Sequence, residues 1–175
     1  MKRRDLVKRL GVSLLALGMV ISTGCSKQDA VTAEKEKIVK IYKWKMVTTW
    51  PKNFPGLGTG ANNVARLITK MSGGRIQVKV YGAKELVPAF EVFDAVSRGT
   101  AQIGHGSAYY WKGKSEATQF FSAVPFGLTA QEMNGWLYHG GGMELWTELY
   151  DQFGLVPAAT GNTGVQMGGW FNKEI

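Results

Sequence analysis

The chain has 175 residues with 21 basic and 13 acidic side chains, a formal charge of +8, and a single cysteine. Five of the basic residues and one acidic residue fall in positions 1–24, so the remainder holds 16 basic and 12 acidic residues, a charge of +4. Its three arginines (Arg66, Arg75 and Arg98) are spread apart, which excludes the clustered basic face of a nucleic-acid binder and leaves a mild excess suited to a small anion.

Residues 1–24 read as an export signal. Lys2, Arg3, Arg4, Lys8 and Arg9 make a basic start, and Gly11 to Ile21 form a short apolar run ahead of small residues. That run is too short to span a membrane. Ser22-Thr23-Gly24 then lead into Cys25 and Ser26, a pattern that resembles a bacterial lipoprotein processing site, where the thiol is lipid-modified and becomes the mature N-terminus. Arg3-Arg4-Asp5-Leu6-Val7-Lys8 also resembles a twin-arginine motif, so export already folded stands beside export unfolded. Residues 25–37 are polar and without periodicity, and read as a lipid-anchored tether.

An α/β lobe is expected over residues 38–160. Alternation from Ile38 to Val47 predicts a first strand with Ile41, Lys43, Lys45 and Val47 on one face and Tyr42, Trp44 and Met46 on the other. Thr48-Thr49-Trp50-Pro51 ends it, and the segment to Gly60 reads as a loop at the carboxyl end of that strand. Asn62 to Met71 reads as a helix burying Val64, Leu67, Ile68 and Met71, stopped by Ser72-Gly73-Gly74. Ile76, Val78 and Val80 alternate as a second strand. Pro88 to Arg98 reads as a helix burying Val92, Phe93 and Val96, and Ala101 to Gly104 as a third strand. Strand, helix, strand, helix, strand is a parallel arrangement whose carboxyl-end loops hold ligands, which puts Tyr109 and Tyr110 at such a loop. Met133 to Phe153 reads as one longer helix despite Gly140-Gly141-Gly142, a stretch able to split it, with a core stripe of Trp136, Leu137, Leu145, Trp146, Leu149 and Phe153.

Leu155 to Thr160 is expected to be a strand leading into Thr160-Gly161-Asn162-Thr163-Gly164-Val165-Gln166-Met167-Gly168-Gly169-Trp170. Small residues there let backbone approach a ligand while Asn162 and Gln166 present amide oxygens and Trp170 an indole. The loop at Trp50, the tyrosines 109 and 110, and Asn162 with Gln166 are therefore expected to converge.

Catalysis finds little support. His105 and His139 lie far apart, and with no cysteine beyond Cys25 a zinc site lacks ligands, so each histidine reads as structural. Ser107 sits in Gly104-His105-Gly106-Ser107-Ala108, which is not a hydrolase nucleophile elbow. Gly56-Leu57-Gly58-Thr59-Gly60-Ala61 is similar to a dinucleotide-binding loop but lacks the tight strand-to-helix turn such a loop needs. An exported oxidoreductase using that loop, and a sugar-binding lipoprotein stacking pyranose rings on Trp50, Tyr109, Tyr110 and Trp170, are the competing readings.

The lipoprotein-like start, Trp44-Lys45-Met46-Val47-Thr48-Thr49-Trp50-Pro51, Gly106 to Tyr110, Ala123-Val124-Pro125-Phe126-Gly127, Tyr138-His139-Gly140-Gly141-Gly142 and Gly161 to Trp170 together resemble the solute-binding proteins of tripartite ATP-independent periplasmic (TRAP) transporters, in the branch for 2-oxo acids and lactate. The resemblance implies a non-catalytic, periplasmic-binding-protein-like α/β architecture of two lobes. This chain would cover most of the first lobe, with residues 161–175 as the crossing strand and the start of the second. It implies that Tyr109 and Tyr110 contact the ligand, that Asn162 lies against it, and that Gln166 holds both the ligand and a cation, sodium or calcium. It also implies a small carboxylate ligand, integral membrane subunits as partners and a place in the periplasm or on the outer face of the cytoplasmic membrane, held by lipid on Cys25, and it allows a homodimer of the full-length protein. A 2-oxo acid can chelate one hard cation through its carboxylate and keto oxygens, and an amide oxygen suits the remaining coordination. The family holds the carboxylate with an arginine, to which none of Arg66, Arg75 and Arg98 corresponds. That residue is expected beyond Ile175.

Overall fold

The computed structural model describes residues 40–164, 169 and 171–174. Three parallel strands, β1 (Tyr42–Thr48), β2 (Ile76–Tyr81) and β3 (Ile103–His105), form a sheet in the order β2-β1-β3. Met46 is the register point, paired with Val80 on one side and Ile103 on the other. The crossover from β1 to β2 and the return from β2 to β3 run in opposite directions across the sheet. Crossovers of the same hand then put their helices on opposite faces.

The two faces of β1 divide as the alternation predicts. Met46 packs with Ala61 and Ala65 of α1 (Leu57–Met71), whereas Val47 packs with Val92, Phe93 and Ala95 of α2 (Val92–Ser97) and with Tyr150 of α4 (Gly142–Asp151). A central strand covered on both sides buries both neighbours, and Met46, Val47 and Thr48 are all closed to solvent. The expected face of α1 is corrected in part. Val64 packs against the Met46 cluster, but Leu67 and Met71 are exposed, and the buried positions are Ala61 and Ala65 against the sheet and Gly58 against the loop after β1, because small side chains let the helix sit close. A Cβ on Gly58 would lie 2.7 Å from the Pro51 carbonyl oxygen.

The expected loop from Gly56 to Gly60 is the first turn of α1. Its amides are already bonded: Leu57 N–H to the Pro55 carbonyl at 2.9 Å, Gly58 and Thr59 N–H to the Phe54 carbonyl at 2.8 and 3.0 Å, and Gly60 N–H to the Gly56 carbonyl at 2.8 Å. A phosphate cradle needs those donors free.

The second helical stretch opens with a 3-10 turn, Ala89–Glu91, before α2, and buries Val92, Phe93 and Ala95. The one longer helix expected from Met133 to Phe153 is two, α3 (Ala130–His139) and α4, divided at the glycine run because Gly141 takes φ +83°, a left-handed conformation that ends one helix and starts the next. A capping box between Thr129 and Glu132 begins α3. Of the expected stripe, Leu137 is buried and Trp136, Trp146, Leu149 and Phe153 are half-buried, whereas Leu145 faces out. Trp136 and Trp146 each stack on Phe121, at 5.8 and 5.3 Å. The strand expected from Leu155 to Thr160 is absent; that segment runs without strand pairing, and Pro157 within it cannot donate to a ladder.

Candidate functional site

The carboxyl ends of β1 and β3 lie side by side, and the hydrogen-bond pattern continues past them. Thr49 N–H donates to the His105 carbonyl at 3.1 Å, while the Trp50 carbonyl accepts from the Thr48 hydroxyl and from Ala83 N–H, each at 2.8 Å. Trp50 is held in place by these bonds and is only 6% exposed. Its indole N–H donates to Nδ1 of His105 at 2.8 Å, with the rings edge to face at 5.7 Å. Trp50 is therefore a brace under the site, and its face is not open for stacking on a sugar ring.

Tyr109 and Tyr110 stand on a 3-10 turn, Ala108–Trp111, that follows β3 after Gly106 and Ser107. The turn is pinned by Trp111, buried against Phe93 at 5.6 Å, while Tyr110 packs on Trp50 at 6.1 Å and on Phe90 at 5.4 Å. Anchored at one end and braced at the other, the two phenols meet edge to face at 4.5 Å. Burial, followed by the hydrogen bond and charge of Tyr109, pushes Tyr110 up to about 12. It therefore stays a neutral hydroxyl able to donate to a carboxylate.

Segment 160–164 reaches the same corner. The Thr160 hydroxyl lies 3.2 Å from Nε2 of His105. Two residues on, Asn162 turns its Oδ1 back to accept the Gly164 N–H at 2.6 Å, which shapes the local turn and leaves its amide NH2 as the group available to a ligand. Gln166, Trp170 and Cys25 lie outside the described residues. The structure thus brings together the Trp50 loop, the two tyrosines and the start of the Asn162 segment. The link between them is His105, which the sequence reading sets aside as structural; its place at the end of the third strand was the available signal. His139, at the end of α3, is exposed and far along the chain from this corner.

Thr49 also went unnoticed in the sequence. Its Oγ1 is buried with no partner among the described residues, and it lies directly under Gly106, where a Cβ would come within 3.0 Å of Thr49 Cγ2 and 3.1 Å of Trp111. The oxygens at this corner are phenols and hydroxyls, with the Asn162 amide oxygen already accepting from Gly164 N–H, and both nitrogens of His105 are engaged. That donor set fits a hard cation such as sodium or calcium in kind. Among the described residues no group of three His, Cys, Asp or Glu comes together, so any shell would draw on neutral oxygens and on the ligand itself.

The three arginines lie elsewhere, exposed, with Arg66 bonded to Asn63, Arg75 to the Ser72 carbonyl and Arg98 beside Asp94. Two depressions lie away from the tyrosine corner. One of about 620 Å³ lies between α1 and β2 and is lined by Lys52, Arg66 and Lys70, and one of about 510 Å³ lies beside α4 and is lined by Phe120, Phe121 and Trp136. Tyr109 and Tyr110 line neither. They form an open shelf, which becomes a pocket when a second surface faces it.

Comparison with known proteins places this geometry in context. Residues 46–175 match the model of the bacterial extracellular solute-binding proteins, family 7 (DctP). A monocarboxylate 2-oxoacid-binding periplasmic protein of Nostoc sp. is 39% identical over 175 residues, covering all of this chain and 46% of the relative. A TRAP periplasmic solute-binding protein of Pseudoalteromonas atlantica, solved with sodium and pyruvate, is 49% identical with a TM-score of 0.75, covering 78% of this chain and 41% of that one. One from Colwellia psychrerythraea, solved with calcium and pyruvate, is 47% identical with a TM-score of 0.74 over 77% of this chain and 41% of that one. The chain thus spans less than half the length of these relatives. The α/β fold is what this chain shares with these structures, and by the match over residues 46–175 it belongs to the bacterial extracellular solute-binding protein family 7, DctP.

Proposed function

We propose that this chain is the first lobe of an extracytoplasmic protein that captures a small 2-oxo or 2-hydroxy monocarboxylate, pyruvate-like or lactate-like, with a sodium or calcium ion, and delivers it to a TRAP-type membrane transporter. The observation that carries the reading is that relatives 49% and 47% identical were solved with bound sodium and pyruvate and with bound calcium and pyruvate. In this reading Tyr109 and Tyr110 donate to the ligand's oxygens, Asn162 offers its amide NH2, and Gln166 presents an amide oxygen to both ligand and cation. The cation, when bound, neutralises carboxylate charge. The neutral Tyr110 hydroxyl and the Trp50 brace orient the carboxylate and keep water from one side of it. Residues 161–175 cross to a second lobe, which supplies the facing wall and the arginine.

The test is calorimetry on the complete two-lobed protein. Pyruvate is expected to bind, more tightly with added sodium or calcium, while nicotinamide cofactors give no heat. Cofactor binding without 2-oxo acid binding would reject the proposal in favour of an oxidoreductase; a neutral sugar binding regardless of cations would reject it in favour of a sugar receptor. The bonded first turn of α1 and the buried Trp50 weigh against both alternatives.

Residues 1–24 are proposed to direct export and Cys25 to carry lipid, so that residues 25–37 tether the lobe at the outer face of the cytoplasmic membrane and raise its local concentration near the transporter. Cys25→Ser is expected to move the protein from the membrane to the soluble fraction with ligand affinity unchanged. Retention of the mutant in the membrane fraction would remove the anchor from the model.

A further inference from the structure

The His105 ring bonds both Trp50, just past the end of β1, and Thr160, on the segment leading to Asn162. The indole of Trp50 can only donate, so Nδ1 of His105 must accept, and the ring proton then sits on Nε2. From there it points to the Thr160 hydroxyl 3.2 Å away, which accepts it. The order of the relay is thus set by chemistry: Trp50 N–H to His105, His105 N–H to Thr160. Thr49 N–H, bonded to the His105 carbonyl, holds the backbone under the ring. Among the described residues 155–164 there is no strand pairing, and Pro157 removes a donor from that stretch.

We propose that His105 is a positioning residue: an Nε2-protonated imidazole that latches segment 160–164, and with it Asn162, to the carboxyl ends of β1 and β3. The inference rests on the binding reading only for its consequence, the placing of Asn162 against a ligand; the latch itself can be measured with no ligand present. Protonation would put a second N–H against the indole donor and break the relay. Burial lowers the His105 pKa from its ordinary value, so the latch holds above the ordinary range and opens as pH falls through the lowered value. The groups on the ring are an indole and a hydroxyl, the nearby Tyr110 is a neutral phenol, and among the described residues no ion pair includes His105.

Nitrogen-15 spectra of the imidazole in the full chain at pH 8 should report the Nε2–H tautomer. Limited digestion by a non-specific protease should cut within 160–164 about three- to tenfold faster in Thr160→Val and in His105→Leu, the factor expected for losing one hydrogen bond. His105→Gln, whose amide can accept from Trp50 and donate to Thr160, should restore the parent rate. The parent should reach the mutant rate when acidified. An Nδ1–H tautomer, or a Thr160→Val chain cut at the parent rate, overturns the proposal. Should His105→Leu fail to fold, the tautomer and the Thr160→Val and His105→Gln rates decide the matter.

Discussion

Replacing Gln166 by alanine in the complete protein is expected to weaken 2-oxo acid binding by roughly ten- to a hundredfold. A hydrogen bond to a charged partner contributes about 1.5 to 3 kcal/mol, and each 1.4 kcal/mol is about a factor of ten in affinity. The dependence on added sodium or calcium should weaken with it, because the proposed role gives the same amide oxygen to ligand and cation. The proposed role has Gln166 facing the cleft and not the core, so removing its side chain is expected to leave the packing of the lobe in place. Calorimetry with and without cation measures both effects. Parent-like binding by the mutant would dissolve the assigned site, and an unchanged melting temperature is needed to show that an affinity loss reports contact and not unfolding.

Phe93→Ala is expected to cost about 3 to 5 kcal/mol of stability, the range for emptying a buried aromatic position. Phe93 is 4% exposed and packs against Trp111 at 5.6 Å, Tyr150 at 5.5 Å and Phe153 at 5.1 Å. It is where α2, the tyrosine-bearing turn and α4 meet. Because Trp111 pins the turn that presents Tyr109 and Tyr110, the cavity should also loosen the shelf, so that Tyr110 fluorescence quenching and near-ultraviolet dichroism change before global unfolding. Denaturant unfolding checks the first effect. A loss below about 1 kcal/mol would mean that the neighbours collapse into the space and that this cluster is not the anchor of the site.

Much of this was legible in the sequence because it depends on local pattern. The three strands and the helices between them follow from periodicity, Gly140-Gly141-Gly142 marks where a helix can break, and the order of elements alone puts Tyr109 and Tyr110 at a carboxyl-end loop. The family, too, could be named from short stretches such as Trp44 to Pro51 and Gly161 to Trp170, and the match over residues 46–175 bears it out.

What the sequence by itself determined, then, is the alternation of elements, the end of the sheet at which Tyr109 and Tyr110 fall and the lineage of the chain. Only the tertiary structure decided which side chains meet there. Periodicity ranks residues by hydrophobicity, and so it placed Leu67 and Met71 inside and could not see that the approach of α1 to the Pro51 carbonyl selects Gly58, Ala61 and Ala65 instead. It judged the Gly56 to Gly60 stretch by composition, whereas the fold bonds those amides into a first turn. And it left His105 among structural residues, because a histidine acquires its role from its two ring partners. Those partners, Trp50 and Thr160, are each 55 residues away in the chain and reach it only when β1, β3 and the segment after α4 are packed together.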